Sequence, residues 1–173
     1  KLDEERPLEQ HPVDLLAVAA DSVRDAHARV PTRFVALGAL DDSRDTFEPV
    51  TVLGDEARLR QVATNLVANA LQHTPDTAGV TVRVGTDKDH AVLEVCDEGP
   101  GMSKEDAHRV FERFYRADSS RARASGGTGL GLSIVDSLVF AHGGTVSVTT
   151  APGQGCRFRV ELPRIADVPA HVG

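Results

Sequence analysis

The stretch AVLEVCDEGPGM, residues 91–102, has the pattern of a β-strand that ends in an acidic residue and a glycine-rich turn. Successive side chains of a strand point to opposite faces, so Asp97 shares a face with Leu93 and Val95. That face is apolar and therefore predicted to point inward, where an unpaired charge is costly. Asp97 is consequently expected to meet a hydrogen-bond donor.

The turn that follows this strand contains Gly99 and Gly101. Because glycine has no side chain, a flat ligand could approach the backbone there. The exocyclic amine of a purine is one donor that would satisfy Asp97. The alternative interpretation is that Asp97 only begins a tight turn.

Hydrophobic spacing, capping residues and turn residues predict the elements around this strand. Asp14, Asp55 and Ser103 are the expected helix caps. The predicted helices cover residues 15–29, 55–73, 103–114 and 129–142, and the predicted strands cover 33–37, 49–53, 80–85, 91–96, 145–150 and 156–162. Helices and strands in this order predict an α+β fold, a two-layer α/β sandwich with one mixed sheet and helices on one face.

Composition excludes several classes of protein. The 173 residues carry a net charge of −7 and no basic run, so nucleic-acid binding is not expected. No apolar stretch approaches the roughly 18 residues that a membrane span needs. Cys96 and Cys156 are too few for a disulfide scaffold and lack metal-ligand spacing, which indicates a domain of a reducing compartment.

The predicted helix 55–73 has an amide-rich face. Asn65 and Asn69 are four residues apart and therefore lie on one face, with Gln72 beside them. An amide oxygen suits Mg²⁺, which takes few protein ligands and leaves its other positions to water and phosphates. The alternative is a pair of solvated asparagines.

A second glycine-rich segment, GGTGLGL at residues 126–132, leads from a predicted mobile loop, 117–128, directly into a helix. Backbone N–H groups of such a segment can point at anions, and the helix dipole adds to the attraction. The alternative is a flexible hinge. Four arginines precede the glycine-rich segment: Arg113, Arg116, Arg121 and Arg123. Their guanidinium groups suit phosphate, and the alternative is a solvated basic helix end.

Four motifs of the chain resemble the N, G1, F and G2 boxes of the catalytic ATP-binding domain of bacterial sensor histidine kinases. In chain order they are NLxxNA, DxGxGM, FERFYR and GGTGLGLSIV. That domain belongs to the GHKL superfamily, shared with gyrase, heat-shock chaperone and mismatch-repair ATPases. The resemblance covers about residues 12–163 and implies the Bergerat-type sandwich. It also implies that residues 1–12 end a dimerisation helix and its linker, that 13–163 form the catalytic domain, and that 164–173 form a tail.

The resemblance implies a role for individual residues. Asp97 would bind the adenine amine, Asn69 would hold Mg²⁺, and Arg116 would face the γ-phosphate, so that Asn69 and Arg116 are the catalytic pair. The other residues that it assigns to the ATP site are Asn65, Gln72, His73, Gly99, Gly101, Met102, Gly127, Thr128, Gly129, Leu130, Gly131 and Leu132.

The chain departs from the resembled pattern at three positions. Gln72 and His73 stand where many relatives carry Lys and Tyr, so a cationic contact from this helix to phosphate is not expected. His73 either stacks on the nucleotide or only ends its helix. Cys156 stands where relatives often have Thr; strand alternation predicts it to be a small core residue, on the opposite sheet face from Cys96.

The resemblance implies a protein histidine kinase that binds Mg·ATP and passes its γ-phosphoryl group to a histidine, for relay to a response regulator. None of the seven histidines is followed by Glu or Asp, so the acceptor is expected on a dimerisation domain outside this chain. The isolated domain would be monomeric and the full protein homodimeric. The expected location is the cytoplasmic side of a membrane-bound sensor.

Two rival functions stay open. One is an ATP-hydrolysing machine, or a serine kinase, of the same superfamily. Those relatives generally carry Glu four residues before the Mg²⁺-binding Asn, where this chain has Asn65, which cannot accept a proton. The other rival is a degenerate nucleotide-binding module that signals by interaction alone.

Overall fold

The computed structural model describes residues 7–41, 48–113, 115 and 131–165. The helices in this part of the chain are α1 (Leu15–Arg29), α2 (Glu56–Gln72), α3 (Lys104–Arg109) and α4 (Gly131–Ala141). The strands are β1 (His11–Asp14), β2 (Val35–Ala39), β3 (Thr51–Gly54), β4 (Val80–Asp87), β5 (His90–Asp97), β6 (Thr145–Thr150) and β7 (Cys156–Pro163). None of the described helices is long and apolar enough to cross a bilayer.

The main sheet has the strand order β2-β4-β5-β7-β6. Strands β2 and β4 are parallel and every other neighbouring pair is antiparallel, so the sheet is mixed, as predicted. Helices α1, α2 and α4 bury their apolar residues with alternate residues of the strands in one core. Leu66 and Val135 of the helices thus share a core with Val82, Leu93 and Phe158 of the sheet, which confirms the two-layer sandwich.

A two-stranded sheet outside the main one was not predicted. Strand β1 pairs antiparallel with β3, with His11 opposite Gly54 and Asp14 opposite Thr51. The sequence of β1 contains Pro12, which cannot donate to a sheet and is tolerated only at an edge. Strand β1 forms because it pairs with β3, which is distant in the sequence. Residues 11–14 alone therefore do not predict a strand.

The predicted caps are confirmed. Asp14 accepts the N–H of Leu16 at 3.0 Å, Asp55 accepts the N–H of Arg58 at 3.3 Å, and Ser103 accepts the N–H of Asp106 at 3.1 Å. Each side chain satisfies a donor that the first helical turn leaves unpaired. Helix bounds at 15–29 and 56–72 follow the prediction closely.

Several element boundaries differ from the prediction. Helix α3 ends at Arg109 rather than near residue 114, because the chain continues in turns such as the Glu112 N–H to Arg109 carbonyl bond of 2.9 Å. Strands β2 and β3 begin two residues later than expected. The predicted start of the last helix, Gly129, lies outside the described residues, whereas its end before Gly143, with φ +78°, is as predicted.

Candidate nucleotide-binding site

The carboxylate of Asp97 lies at the end of β5, between β4 and β7. Its Oδ1 accepts two backbone N–H groups, from Gly99 at 2.9 Å and from Cys156 at 3.2 Å. The described residues donate no hydrogen bond to Oδ2. Asp97 does begin a tight turn, and it also keeps one oxygen available to accept a further donor.

The electrostatics of this carboxylate follow from its position. Asp97 is half-buried, and burial raises its pKa above the ordinary value, because a charge is less well solvated there. The N–H groups of Gly99 and Cys156 act in the opposite direction and favour the ionised form. A donor that reaches Oδ2 would therefore meet a charge that the fold orients but does not neutralise.

The glycines of the turn after β5 are required by packing. A Cβ on Gly101, whose φ is +72°, would lie 2.0 Å from the carbonyl oxygen of Ala151. A Cβ on Gly99 would lie 2.5 Å from Cγ2 of Thr74. These close contacts bring the β6–β7 turn and the end of α2 against the turn that follows β5.

A buried arginine holds the end of α2 beside Gly99. Arg33 donates to the carbonyl oxygen of Leu71 at 3.1 Å and to Oγ1 of Thr74 at 2.7 Å. The hydroxyl of Thr74 in turn donates to the carbonyl oxygen of Ala70 at 2.7 Å. Sequence analysis missed both residues, since nothing in the local sequence indicates that Arg33, 38 positions before Leu71, caps this helix end.

The two asparagines of α2 differ in their contacts. Asn65 donates through Nδ2 to the carbonyl oxygen of Gly131, the first residue of α4, at 3.4 Å. The side chain of Asn69 makes no hydrogen bond with the part of the chain that the structure describes, while its backbone oxygen accepts the N–H of His73. Both side chains are half-buried, as are Gln72 and His73, which have contacts of their own.

Three further site predictions fall on described residues. Gly131 begins α4 next to Asn65, with open space around its Cβ position. Leu132 packs into the core at 9% exposure, so its side chain is structural. Met102 packs partly against the core and donates its N–H to Oγ1 of Thr150 at 2.9 Å. The predictions that lie outside the described residues are Arg116, Arg121, Arg123, Gly127, Thr128, Gly129, Leu130 and the loop 117–128.

The cysteines behave as predicted. Both thiols are free, and Cys156 packs partly against the core with Sγ 3.3 Å from Oγ1 of Thr150. Burial raises the pKa of the Cys156 thiol, which keeps it protonated and poorly reactive.

A metal at this site would rely on few protein atoms. Within the described ranges, no group of three or more His, Cys, Asp or Glu side chains could hold a metal ion. The amide oxygen of Asn69 is a hard neutral ligand with no competing hydrogen bond from the described residues. This donor suits Mg²⁺, which binds through one or two protein groups together with phosphates and water.

Comparison with known proteins places these features in a family context. A family described as "Histidine kinase-, DNA gyrase B-, and HSP90-like ATPase" matches residues 54–166. The probable sensor histidine kinase TcrY of Mycobacterium tuberculosis is 48% identical over 163 residues, which cover 94% of this chain and 33% of that protein. The histidine-protein kinase BaeS of Escherichia coli is 38% identical, over 93% of this chain and 33% of that protein.

Solved structures agree in fold. The mycobacterial sensor histidine kinase MprB superposes with a TM-score of 0.78 at 31% identity, covering 91% of this chain and all of that one. Full-length ShkA in complex with AMPPNP superposes with a TM-score of 0.77 at 30% identity, covering 96% of this chain and 33% of that one. The chain spans about a third of the length of the curated relatives that it matches.

Proposed function

Because this chain belongs to the family of histidine kinase-, DNA gyrase B- and HSP90-like ATPases, and is an ATP-binding catalytic domain of the sensor histidine kinase type, we propose that it binds Mg·ATP and transfers the γ-phosphoryl group to a histidine. The acceptor histidine lies on a dimerisation domain outside this chain. From there the phosphoryl group passes to a response regulator. The full protein is a homodimer, and this domain is the cytoplasmic part of a membrane-bound sensor.

The observation that carries the proposal is the arrangement of the Asp97 carboxylate at the end of β5. Oδ1 of Asp97 is held by two backbone N–H groups, and Oδ2 receives no bond from the described residues. An adenine ring that enters against the turn at Gly99 would donate its amine to Oδ2. Guanine and hypoxanthine carry a carbonyl oxygen in place of this amine, so the carboxylate would repel them.

With adenine at Asp97, the phosphates would lie toward α2 and the start of α4, where the resemblance assigns their binding residues. The resemblance assigns Asn69 to Mg²⁺, and the absence of any hydrogen bond from the described residues to its amide oxygen supports that assignment. When bound, Mg²⁺ neutralises phosphate charge. Asn65 donates to the carbonyl oxygen of Gly131, and this bond joins α2 to the start of α4. The resemblance adds Arg116, which lies outside the described residues, as the cation facing the γ-phosphate.

Transfer to histidine needs little chemistry from this domain beyond positioning. A ring nitrogen of the acceptor forms the new P–N bond while the bond between the γ-phosphorus and its bridging oxygen breaks, and ADP leaves with the electron pair. Hydrolysis would instead require a base to activate water. The position where related hydrolases carry Glu is Asn65, whose amide cannot accept a proton, and this residue supports the kinase over the hydrolase.

Labelled ATP tests the transfer. The chain alone is expected to stay unlabelled, since no histidine in it is followed by Glu or Asp. Label is expected on a separately supplied dimerisation domain of the same protein, and none on the same domain with its acceptor histidine replaced by Ala. Stable label on His73 or His142 of this chain would contradict the proposal. Binding of ATP without transfer to any supplied acceptor would favour the degenerate module.

A further inference from the structure

The hydroxyl of Thr150 joins the two turns that flank Asp97. Thr150 is the last residue of β6, and its Oγ1 accepts the N–H of Met102 at 2.9 Å. The same hydroxyl donates to the carbonyl oxygen of Gly155 at 2.7 Å. Met102 ends the turn after Asp97, and Gly155 precedes the residue whose N–H holds Oδ1 of Asp97. One side chain therefore bridges both backbone segments around the carboxylate.

The bonding capacity of this hydroxyl is fully used. A hydroxyl has one donor and two acceptor positions. The donor goes to Gly155, one acceptor position goes to Met102, and Sγ of Cys156 lies 3.3 Å away at the other. A thiol is a weak hydrogen-bonding partner, so the strong bonds of the Thr150 hydroxyl are those to Met102 and Gly155.

The two turns have little room to shift independently. Gly153 donates its N–H to the carbonyl oxygen of Pro100 at 2.6 Å, and the Cβ position of Gly155 lies 2.1 Å from the backbone oxygen of Asp97. Loss of the Thr150 bridge leaves the N–H of Met102 and the carbonyl of Gly155 without this partner. Any movement that restores their hydrogen bonds also moves the backbone that orients Asp97.

We propose that Thr150 is a positioning residue for adenine recognition: its hydroxyl sets the direction in which Oδ2 of Asp97 faces the adenine amine. This inference rests on the proposed ATP site. It assigns to β6 a role in nucleotide selectivity, although Thr150 need not touch the nucleotide.

The test compares ATP with ITP, which has a carbonyl in place of the adenine amine, by titration calorimetry. Thr150→Val keeps the shape and the β-branched preference for a strand but has no hydroxyl. We expect its ATP affinity to fall about tenfold while ITP affinity hardly changes. Thr150→Ser keeps the hydroxyl and is expected to restore the preference for ATP.

The matched control is Thr149→Val on the same strand. The Thr149 side chain is exposed and its hydroxyl makes no hydrogen bond with the described residues, so both affinities should stay at the wild-type level. If Thr150→Val fails to fold, the pair Thr150→Ala and Thr150→Ser gives the same comparison.

The outcomes separate the two proposals. Failure of the wild-type chain to bind ATP would overturn the proposed function itself. Normal ATP affinity in Thr150→Val, beside a wild type that prefers ATP to ITP, would overturn only the role of Thr150. Equal losses for ATP and ITP would also overturn it, because a merely structural contact would weaken both.

Discussion

The β5 corner, formed by Asp97, Gly101 and Thr150, and the amide face of α2, which carries Asn65 and Asn69, are held in place in different ways. At the corner, Asp97 and Thr150 are held by hydrogen bonds to the backbone. The backbone packs so closely around Gly101 that there is no space for a side chain. On α2, the side chain of Asn69 makes no bond with the described residues. The corner is therefore part of the fold, whereas the side chain of Asn69 contributes no hydrogen bond to the described fold, and we expect its removal to cost the fold little.

The strongest test of this difference is Gly101→Ala. The added Cβ would lie 2.0 Å from the carbonyl oxygen of Ala151, at a φ of +72° that alanine adopts with strain. We expect a loss of about 3–5 kcal/mol in the free energy of unfolding. The control is Gly153→Ala, which has a similar φ of +80° but open space at its Cβ position.

Thermal and denaturant unfolding would measure the free energy of unfolding of both variants. Gly153→Ala should lose only about 1–2 kcal/mol, the cost of the left-handed conformation. Equal losses in the two variants would show that the corner is not tightly packed against the β6–β7 turn.

On α2, Asn69→Ala should behave in the opposite way. We expect an unchanged unfolding midpoint and a loss of about 10- to 100-fold in ATP affinity measured with Mg²⁺. Affinity measured with a chelator in place of Mg²⁺ should change much less, because Asp97 still holds the adenine.

The control for this variant is Gln61→Ala, two turns earlier on the same half-buried stripe of α2. It should leave both affinities unchanged. A loss in Asn69→Ala that is the same with and without Mg²⁺ would remove the metal from the role of this residue.

A smaller effect follows from the pKa of Asp97. Burial raises it above the ordinary value of about 3.9. The proposed contact with the adenine amine needs the ionised carboxylate of Asp97, so we expect ATP affinity to fall as the pH decreases through this raised pKa. The stability of the domain without nucleotide should change in the opposite direction. The pKa of Asp97 is higher in the folded state than in the unfolded state, so the free energy of unfolding declines as the pH rises through the same range.

This pH dependence is checked by titrations of wild type and Asp97→Asn between about pH 4 and pH 7. The ratio of their affinities removes the titration of ATP itself. The ratio should approach one as the pH falls, and a ratio independent of pH would show that the charge of Asp97 does not contribute to binding.

The sequence predicted those features that depend on local chemistry. The caps at Asp14, Asp55 and Ser103, the bounds of α1 and the end of α4 at glycine follow from residues within one helical turn of each feature. The resemblance to histidine kinase catalytic domains, drawn from four motifs, is confirmed by the family match and by the relatives.

Features that depend on distant pairing were missed. Strand β1 exists because it pairs with β3, about 40 residues away along the chain. The bonds of Arg33 to the end of α2, and of Thr150 to Met102, need the sheet order before they can be foreseen. The sequence identified Gly99 and Gly101 as turn residues, but their close packing against Thr74 and Ala151 depends on segments that are distant along the chain.

Titration calorimetry of ATP with the variant Asp97→Asn tests most directly whether Asp97 binds the adenine amine. Asparagine keeps an oxygen for the N–H groups of Gly99 and Cys156, but its amide N–H₂ would face the adenine amine, donor against donor. We expect ATP binding about 30- to 1,000-fold weaker than in the wild type, with an unfolding midpoint no lower than that of the wild type. Wild-type affinity in this variant would contradict the assignment of the adenine to Asp97.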